Sequence, residues 1–264
     1  DLKKKPIWIH CKGYLVRDDN MKPLYMIGCV NEIGERQKAD NVSGLLGESG
    51  FREYMNQLDT SLETGYLLRI GIDHFKEIND NFGQEYGDFV LKKTADCISG
   101  CISEGQNVYK LVADEFLILD VSSDEAKDAD KLYDKVREAI DRFIETNEFK
   151  VMYTVSGGIV PFAALKGNQY AEALKLTDFA LNEAKKLGRN RCYIFDGETY
   201  RKFLRKREIT QELREAVING FQGFTAFYQP VFAEDKKVPY GAEALMRFTS
   251  EKFGMISPAE FIPI

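Results

Sequence analysis

The chain has 264 residues, 44% hydrophobic and 30% charged, with a formal net charge of −6. That length accommodates one full core with flanking pieces, or two small domains. The acidic balance argues against a nucleic-acid partner, which needs a basic domain or stripe. The basic clusters, Lys3-Lys4-Lys5 and residues 201–207, read as a solvated end and a solvated helix face. No apolar run reaches the roughly 18–20 residues of a membrane span, so no membrane contact is expected. The opening Asp1-Leu2-Lys3 has no apolar stretch of a signal peptide behind it. Five cysteines, Cys11, Cys29, Cys97, Cys101 and Cys192, are an odd number without framework spacing. They read as free thiols of a reducing, cytoplasmic compartment. With His10 and His74 the only histidines, a Cys/His zinc site is not expected.

Residues 6–17 and 22–31 read as two strands joined by a polar turn, followed by a short charged linker over 32–40. From 40 to about 196 helices and strands mix. A helix pattern covers 49–63 and a buried strand 66–72. Asp73 stands where an N-cap belongs, before a short helix opening at Phe75. Gly83 and Gly87 punctuate the next loop. A helix over 88–99 places Phe89, Leu91 and Ala95 at helical spacing. Strands 108–111 and 116–121 form a hairpin around a tight turn. A helix over 124–146 carries Ala129, Leu132, Tyr133, Val136, Ile140 and Phe143 on one stripe. Strand 150–160, helix 170–187 and strand 192–195 complete the unit. Hairpins mixed with packed helices predict an α+β fold with a mainly antiparallel sheet, not a doubly wound parallel one. Residues 199–219 form a charged helix, followed by strands 224–232 and 239–247. The chain starts just before a strand and ends on the apolar Phe261-Ile262-Pro263-Ile264, so it reads as a piece of a longer protein.

Five motifs stand in order over some 155 residues. They are Asp40-Asn41-Val42-Ser43-Gly44-Leu45, the stretch from Ile72 to Asp88 (IDHFKEINDNFGQEYGD), Lys110-Leu111-Val112-Ala113-Asp114-Glu115-Phe116, Val155-Ser156-Gly157-Gly158, and the stretch from Ala180 to Asn190 (ALNEAKKLGRN). Together they resemble the GGDEF family, whose members fold like the nucleotide cyclase catalytic core. Active members join two GTP molecules into cyclic di-GMP across a dimer interface. The resemblance implies guanine contacts at Asn79 and Asp88 and phosphate contacts at Lys185 and Arg189. An Asp that accepts from guanine N1 and N2, with an Asn amide beside it, complements that base edge. Read from the residues alone, Asn79 suits a turn and Asp88 a helix N-cap, and both readings stay open.

The departures from the family pattern bear on catalysis. Phosphodiester formation from a nucleoside triphosphate needs divalent metal held by carboxylates. Asp114 matches one metal carboxylate, with Glu115 beside it as a vestigial catalytic residue. The other metal carboxylate falls on Gly71, so Mg²⁺ is expected to be weak or absent here. Asp73, two residues along on the same strand face, is assigned to the N-cap instead. Val112-Ala113 replace the Gly-Gly that allows a tight turn and close approach to the nucleotide. Gln84 stands for the family's His. Ser103-Glu104-Gly105-Gln106 replace the inhibitory product site, so no product feedback is expected through it.

Two flanks carry further resemblances. Residues 1–36 resemble the last strands of a PAS sensor. Residues 199–264, with Phe227-Tyr228-Gln229-Pro230-Val231 and Glu243-Ala244-Leu245-Met246-Arg247-Phe248, resemble the start of an EAL domain. EAL domains are TIM-barrel phosphodiesterases that open cyclic di-GMP. There Glu243 implies a metal ligand and Arg247 a contact to the cyclic di-GMP phosphate, with Mg²⁺ expected once the barrel is complete. The expected order is a PAS end over 1–36, a GGDEF domain over 37–198 and an incomplete EAL barrel over 199–264. The expected function is a regulatory, GTP-binding module for a phosphodiesterase. The alternatives are an active diguanylate cyclase, and a scaffold or homodimerisation module with no nucleotide site. The linker over 32–40 is too short for the long coiled-coil helix many PAS–GGDEF proteins use, so a homodimer would need another surface.

Overall fold

The computed structural model describes residues 9–17, 22–32, 39–58, 64–123, 126–146, 151–166, 169–233 and 237–264. The chain divides into two compact units, residues 1–195 and 196–264.

In the first unit, β1 (Ile9–Arg17) and β2 (Pro23–Glu32) form an antiparallel hairpin. Most of its predicted turn, and of the linker after it, lies outside the described residues. The main sheet has six strands in the order β3-β5-β6-β4-β7-β8. They are β3 (Leu46–Gly47), β4 (Tyr66–Ile72), β5 (Gln106–Lys110), β6 (Glu115–Asp120), β7 (Val155–Pro161) and β8 (Cys192–Ile194). The four inner strands are antiparallel to one another, and the two edge pairings, β3 with β5 and β7 with β8, are parallel. The α+β expectation therefore holds. Strand β4 is paired on both sides and buried at every residue, which is why its sequence is a nearly unbroken apolar run.

Helices cover both faces. Helix α3 (Gln84–Ser99) and helix α4 (Ala126–Thr146) bury Val90, Leu91, Ala95 and Ile98, and Ala129, Leu132, Tyr133, Val136 and Ile140, in one core with Leu68, Ile70 and Ile72 of β4. Helix α5 (Gln169–Lys186) packs on the opposite face through Ala173, Leu176, Ala180, Leu181 and Ala184. It comes so close to β7 that a Cβ on Gly158 would sit 2.3 Å from the Leu181 nitrogen, so only glycine fits there. Two shorter helices, α1 (Glu48–Gln57) and α2 (Phe75–Phe82), bury Phe51, Met55 and Ile78.

Some boundaries differ from the sequence reading. Helix α1 stops at Gln57 because Leu58 is extended. Helix α3 begins at Gln84, four residues before the expected start, with Gly83 at φ 83° ending α2 and opening α3. Its buried stripe is Val90, Leu91, Thr94, Ala95 and Ile98. Phe89 is exposed and lies beside Tyr86 and Lys93. Strand β7 begins at Val155, five residues later than expected.

The second unit has α6 (Gly197–Ile218), an antiparallel sheet in the order β11-β10-β9, and a one-turn helix α7 (Pro258–Phe261). Its strands are β9 (Phe224–Phe232), β10 (Pro239–Ser250) and β11 (Gly254–Ile256). Asp196 caps α6 by accepting from the Thr199 amide at 2.8 Å. Ile209, Ala216, Phe248, Ile256 and Phe261 make a small core, while Phe221, Phe227, Tyr228 and Phe232 stay exposed. Among the described residues no helix is long and apolar enough to cross a membrane. Cys97, Cys101 and Cys192 are free thiols.

Candidate nucleotide site

The predicted residues of the first unit come from four places: the end of β4, the α2–α3 pair, the β5–β6 turn, and the end of α5. Asn79 is the fifth residue of α2 and Asp88 the fifth of α3, so neither the turn nor the N-cap reading holds. Asn79 Oδ1 is buried without a hydrogen-bond partner. It lies against Gly87, where an added Cβ would be 1.8 Å away. The absent side chain at 87 thus brings the Asn79 amide against α3 at the residue that precedes Asp88 in the chain. A buried acceptor left unpaired costs roughly 1–3 kcal/mol, so Asn79 Oδ1 is open to a donor.

The β5–β6 turn is formed despite the missing glycines. Leu111 donates to the Glu115 carbonyl at 2.9 Å and Glu115 to the Val112 carbonyl at 3.2 Å. The left-handed conformation falls on Ala113, at φ 51°, and not on Val112, whose side chain points outward and is 64% exposed. The feared clash of a β-branched residue with positive φ is thereby avoided. Buried Lys110 holds the turn from inside, donating to the carbonyls of Leu111, at 2.9 Å, and Ala113. Burial pulls its ammonium below the usual lysine range, against the opposing pull of Asp40, Asp114 and Glu115.

The carboxylates around the turn are mostly committed. Glu115 is gripped by the guanidinium of buried Arg69, with Nε at 2.7 Å from Oε2 and Nη2 on the same oxygen. Arg69 also donates to the Leu174 carbonyl at 3.1 Å and faces Asp178 at 3.5 Å. Asp73 is not an N-cap. That position belongs to His74, and the Asp73 carboxylate is 2% exposed. It accepts from Thr154 Oγ1 and Ser156 Oγ, each at 2.7 Å, and from the Asn190 amide at 3.2 Å. It thereby ties β7 to the loop after α5, where Arg189 and Asn190 both adopt positive φ and Arg189 is exposed. Asp114 remains. Burial raises its carboxyl above the usual carboxylate range, partly offset by Lys185.

These residues do not fit a divalent metal. Mg²⁺ asks for an octahedral oxygen set, one or two carboxylates completed by waters and substrate phosphates, and here Asp114 alone is left to begin it. Gly71 supplies none, and Asp73 and Glu115 are occupied. The ammonium of Lys185 lies 3.2 Å from where the first atom of a side chain at 71 would be. Among the described residues no group of three or more His, Cys, Asp or Glu is arranged to hold a metal, and this covers Glu243 as well as Asp114. A cavity of about 640 Å³, lined by Asp73, His74, Glu77, Asp141, Tyr153 and Asn190 among others, contains none of Asn79, Asp88, Lys185 or Arg189. In the second unit Glu243 and Arg247 lie on one face of β10, with the Arg247 guanidinium 5.4 Å from the Phe227 ring centre.

The family model described as Diguanylate cyclase, GGDEF domain matches residues 38–191, more than half of the chain. The chain belongs to the GGDEF family. It is similar to the cyclic di-GMP phosphodiesterase NbdA of Pseudomonas aeruginosa, 27% identical over 228 residues, covering 84% of this chain and 28% of that protein. Among solved structures, the GGDEF domain of TpbB (YfiN) from Pseudomonas aeruginosa matches with a TM-score of 0.55 and 25% identity, covering 63% of this chain and 99% of that one. The S helix–GGDEF–EAL portion of Vibrio cholerae LapD, bound to c-di-GMP, shares the fold over 87% of this chain and 53% of its own, with a TM-score of 0.55 and 20% identity. The chain spans little more than a quarter of the length of such curated relatives as NbdA, MucR and MbaA. It carries a GGDEF domain of cyclic di-GMP signalling, with the central sheet and flanking helices of that fold.

Sequence reasoning missed Arg69, Lys110 and the loop-tying role of Asp73. A lone Arg inside an otherwise apolar buried strand was the available signal for the first, since such a charge requires a partner.

Proposed function

We propose that residues 37–198 bind GTP without converting it to cyclic di-GMP, and serve as a regulatory module for an EAL phosphodiesterase that begins within residues 199–264. Residues 1–36 are then the end of a PAS sensor. The observation that carries the nucleotide reading is the unpaired, buried Asn79 Oδ1 beside Gly87. Guanine N1–H and N2–H₂ are the donors such a wall lacks, and Lys185 and Arg189 suit the phosphates. The absent carboxylate at Gly71 supports the inactive half of the reading. The similarity to NbdA, the fold shared with LapD and the common face of Glu243 and Arg247 support the phosphodiesterase half, with Glu243 as a metal ligand and Arg247 as a cyclic di-GMP contact.

Calorimetric titration with GTP tests it. Micromolar binding is expected, weakened about tenfold or more by Asn79→Ala, the size of one lost hydrogen bond to a buried partner. Equal affinity in that variant, or no binding up to millimolar GTP, removes the guanine site. Formation of cyclic di-GMP from GTP with Mg²⁺ or Mn²⁺ overturns the inactive half.

A further inference from the structure

The metal wall of this pocket is not merely short of a ligand. A Cβ on Gly71 would lie 3.2 Å from both Leu181 Cδ2 and Lys185 Nζ, and 3.5 Å from Lys185 Cε. A metal-binding side chain at 71 would therefore enter against the end of a lysine, whose ammonium would have to give way or pair with it. That lysine comes from the last turn of α5 and is the leading cationic influence on Asp114. The other nearby ammonium, Lys110, is spent on the carbonyls of Leu111 and Ala113. Glu115 and Asp73 are neutralised or hydrogen-bonded elsewhere.

Asp114 is then the carboxylate of this wall left without a hydrogen-bonding or ion-pair partner of its own, and Lys185 the leading cation acting on it. A divalent cation brought to Asp114 would meet that ammonium with only a single carboxylate to offset both, and like charges at such range repel. An arriving triphosphate meets a cation already in place, with Arg189 on the adjoining loop.

We propose that Lys185 is the resident cation of this site, in place of a divalent metal, and that the pocket takes a guanine nucleoside triphosphate as the free anion, independently of Mg²⁺. The ligand part rests on the guanine reading above; the lysine part does not.

Two measurements on the whole chain separate them. In the first, GTP is titrated in excess Mg²⁺ and in excess EDTA. The two affinities are expected to agree within about twofold, and Lys185→Met to lower both about tenfold or more. A tenfold gain from Mg²⁺ overturns the proposal. In the second, Mn²⁺ binding is followed by electron paramagnetic resonance without nucleotide. The natural chain and Gly71→Asp alone are expected to leave Mn²⁺ free, because the new carboxylate pairs with Lys185. Gly71→Asp combined with Lys185→Met is expected to bind it stoichiometrically. Stoichiometric Mn²⁺ on the natural chain, lost in Asp114→Asn, or on Gly71→Asp alone, overturns the proposal. If GTP binds in neither buffer, the guanine reading fails, and the Mn²⁺ result still decides the role of the lysine.

Discussion

The two walls of the candidate site have diverged in opposite ways. The wall built by α2 and α3 keeps an acceptor uncommitted: Asn79 Oδ1 is buried and unpaired, and the glycine at 87 leaves it room. The wall built by β4, the β5–β6 turn and the end of α5 has its groups absorbed by the protein. Arg69 holds Glu115, three donors hold Asp73, Lys110 holds the turn, and Lys185 fills the space beside Gly71. A site for a missing ligand is recognised by polar groups left without partners. A wall that has turned structural is recognised by the partners it has acquired. On the proposed reading, the difference separates binding a base from reacting a phosphate.

The largest effect expected from breaking this contrast is at Glu115. If it is structural, Glu115→Ala strands a buried guanidinium and costs about 3 kcal/mol, the low end for a broken buried pair because Asp178 and the Leu174 carbonyl remain. Thermal unfolding should shift down by roughly 6–12 °C for a unit of this size. An unchanged melting temperature would return Glu115 to the pool of residues free for chemistry. The next effect sharpens the other wall. Gly87→Ala places a Cβ where Asn79 Oδ1 now lies and must rotate the amide away. GTP affinity should fall about tenfold or more, while stability holds or rises, since Ala is favoured over Gly inside a helix by up to about 1 kcal/mol. Loss of stability together with affinity would mean that Gly87 serves packing instead.

How much of this was legible in the sequence follows the range of the interactions. The stripe Ala129, Leu132, Tyr133, Val136 and Ile140, and the buried run from Tyr66 to Ile72, are local patterns and appear where expected. Asp73 was misread because a helix N-cap and a buried carboxylate look alike over a few residues. Its partners Thr154, Ser156 and Asn190 lie 81 to 117 positions away. Gly87 looks like loop punctuation in the sequence for the same reason, since what demands a glycine there is a side chain on another helix. The missing carboxylate at Gly71 was plain in the sequence. The lysine beside it was not, because α5 meets β4 only in the fold.

Two carboxylates, one just before β6 and one at its end, test the contrast by pH. Burial raises the Asp114 carboxyl. The native domain then retains a proton the unfolded chain has lost, so stability falls as pH rises from the unfolded value of about 3.9 through the folded one. For Asp120 burial also pushes upward, but hydrogen bonds from Ser122, Gln106 and Tyr66 prevail and the net shift is down. Its contribution is present above the unfolded value and is lost as pH falls through the folded one. Asp114→Asn should therefore raise the melting temperature at neutral pH, with the gain vanishing in acid. Asp120→Asn should lower it at neutral pH, with the loss shrinking in acid. Thermal melts across that range check both signs. A stabilising Asp120→Asn or a destabilising Asp114→Asn at neutral pH would break the assignment.

The smallest effect isolates the turn. Ala113 bears a left-handed φ of 51°, which costs a residue with a Cβ on the order of 1 kcal/mol, less the entropy that glycine loses on folding. Ala113→Gly should stabilise the unit by about 0.5–1 kcal/mol in denaturant melts. The same variant should leave GTP affinity and Mn²⁺ binding unchanged, because it alters neither Gly71 nor Lys185. If it restored metal binding, the shape of the turn would be what excludes the cation, and the lysine only a bystander. If it restored nothing and gave no stability, the grip of Lys110 on the Leu111 and Ala113 carbonyls would already be compensating the strain, and Lys110→Met would then expose it.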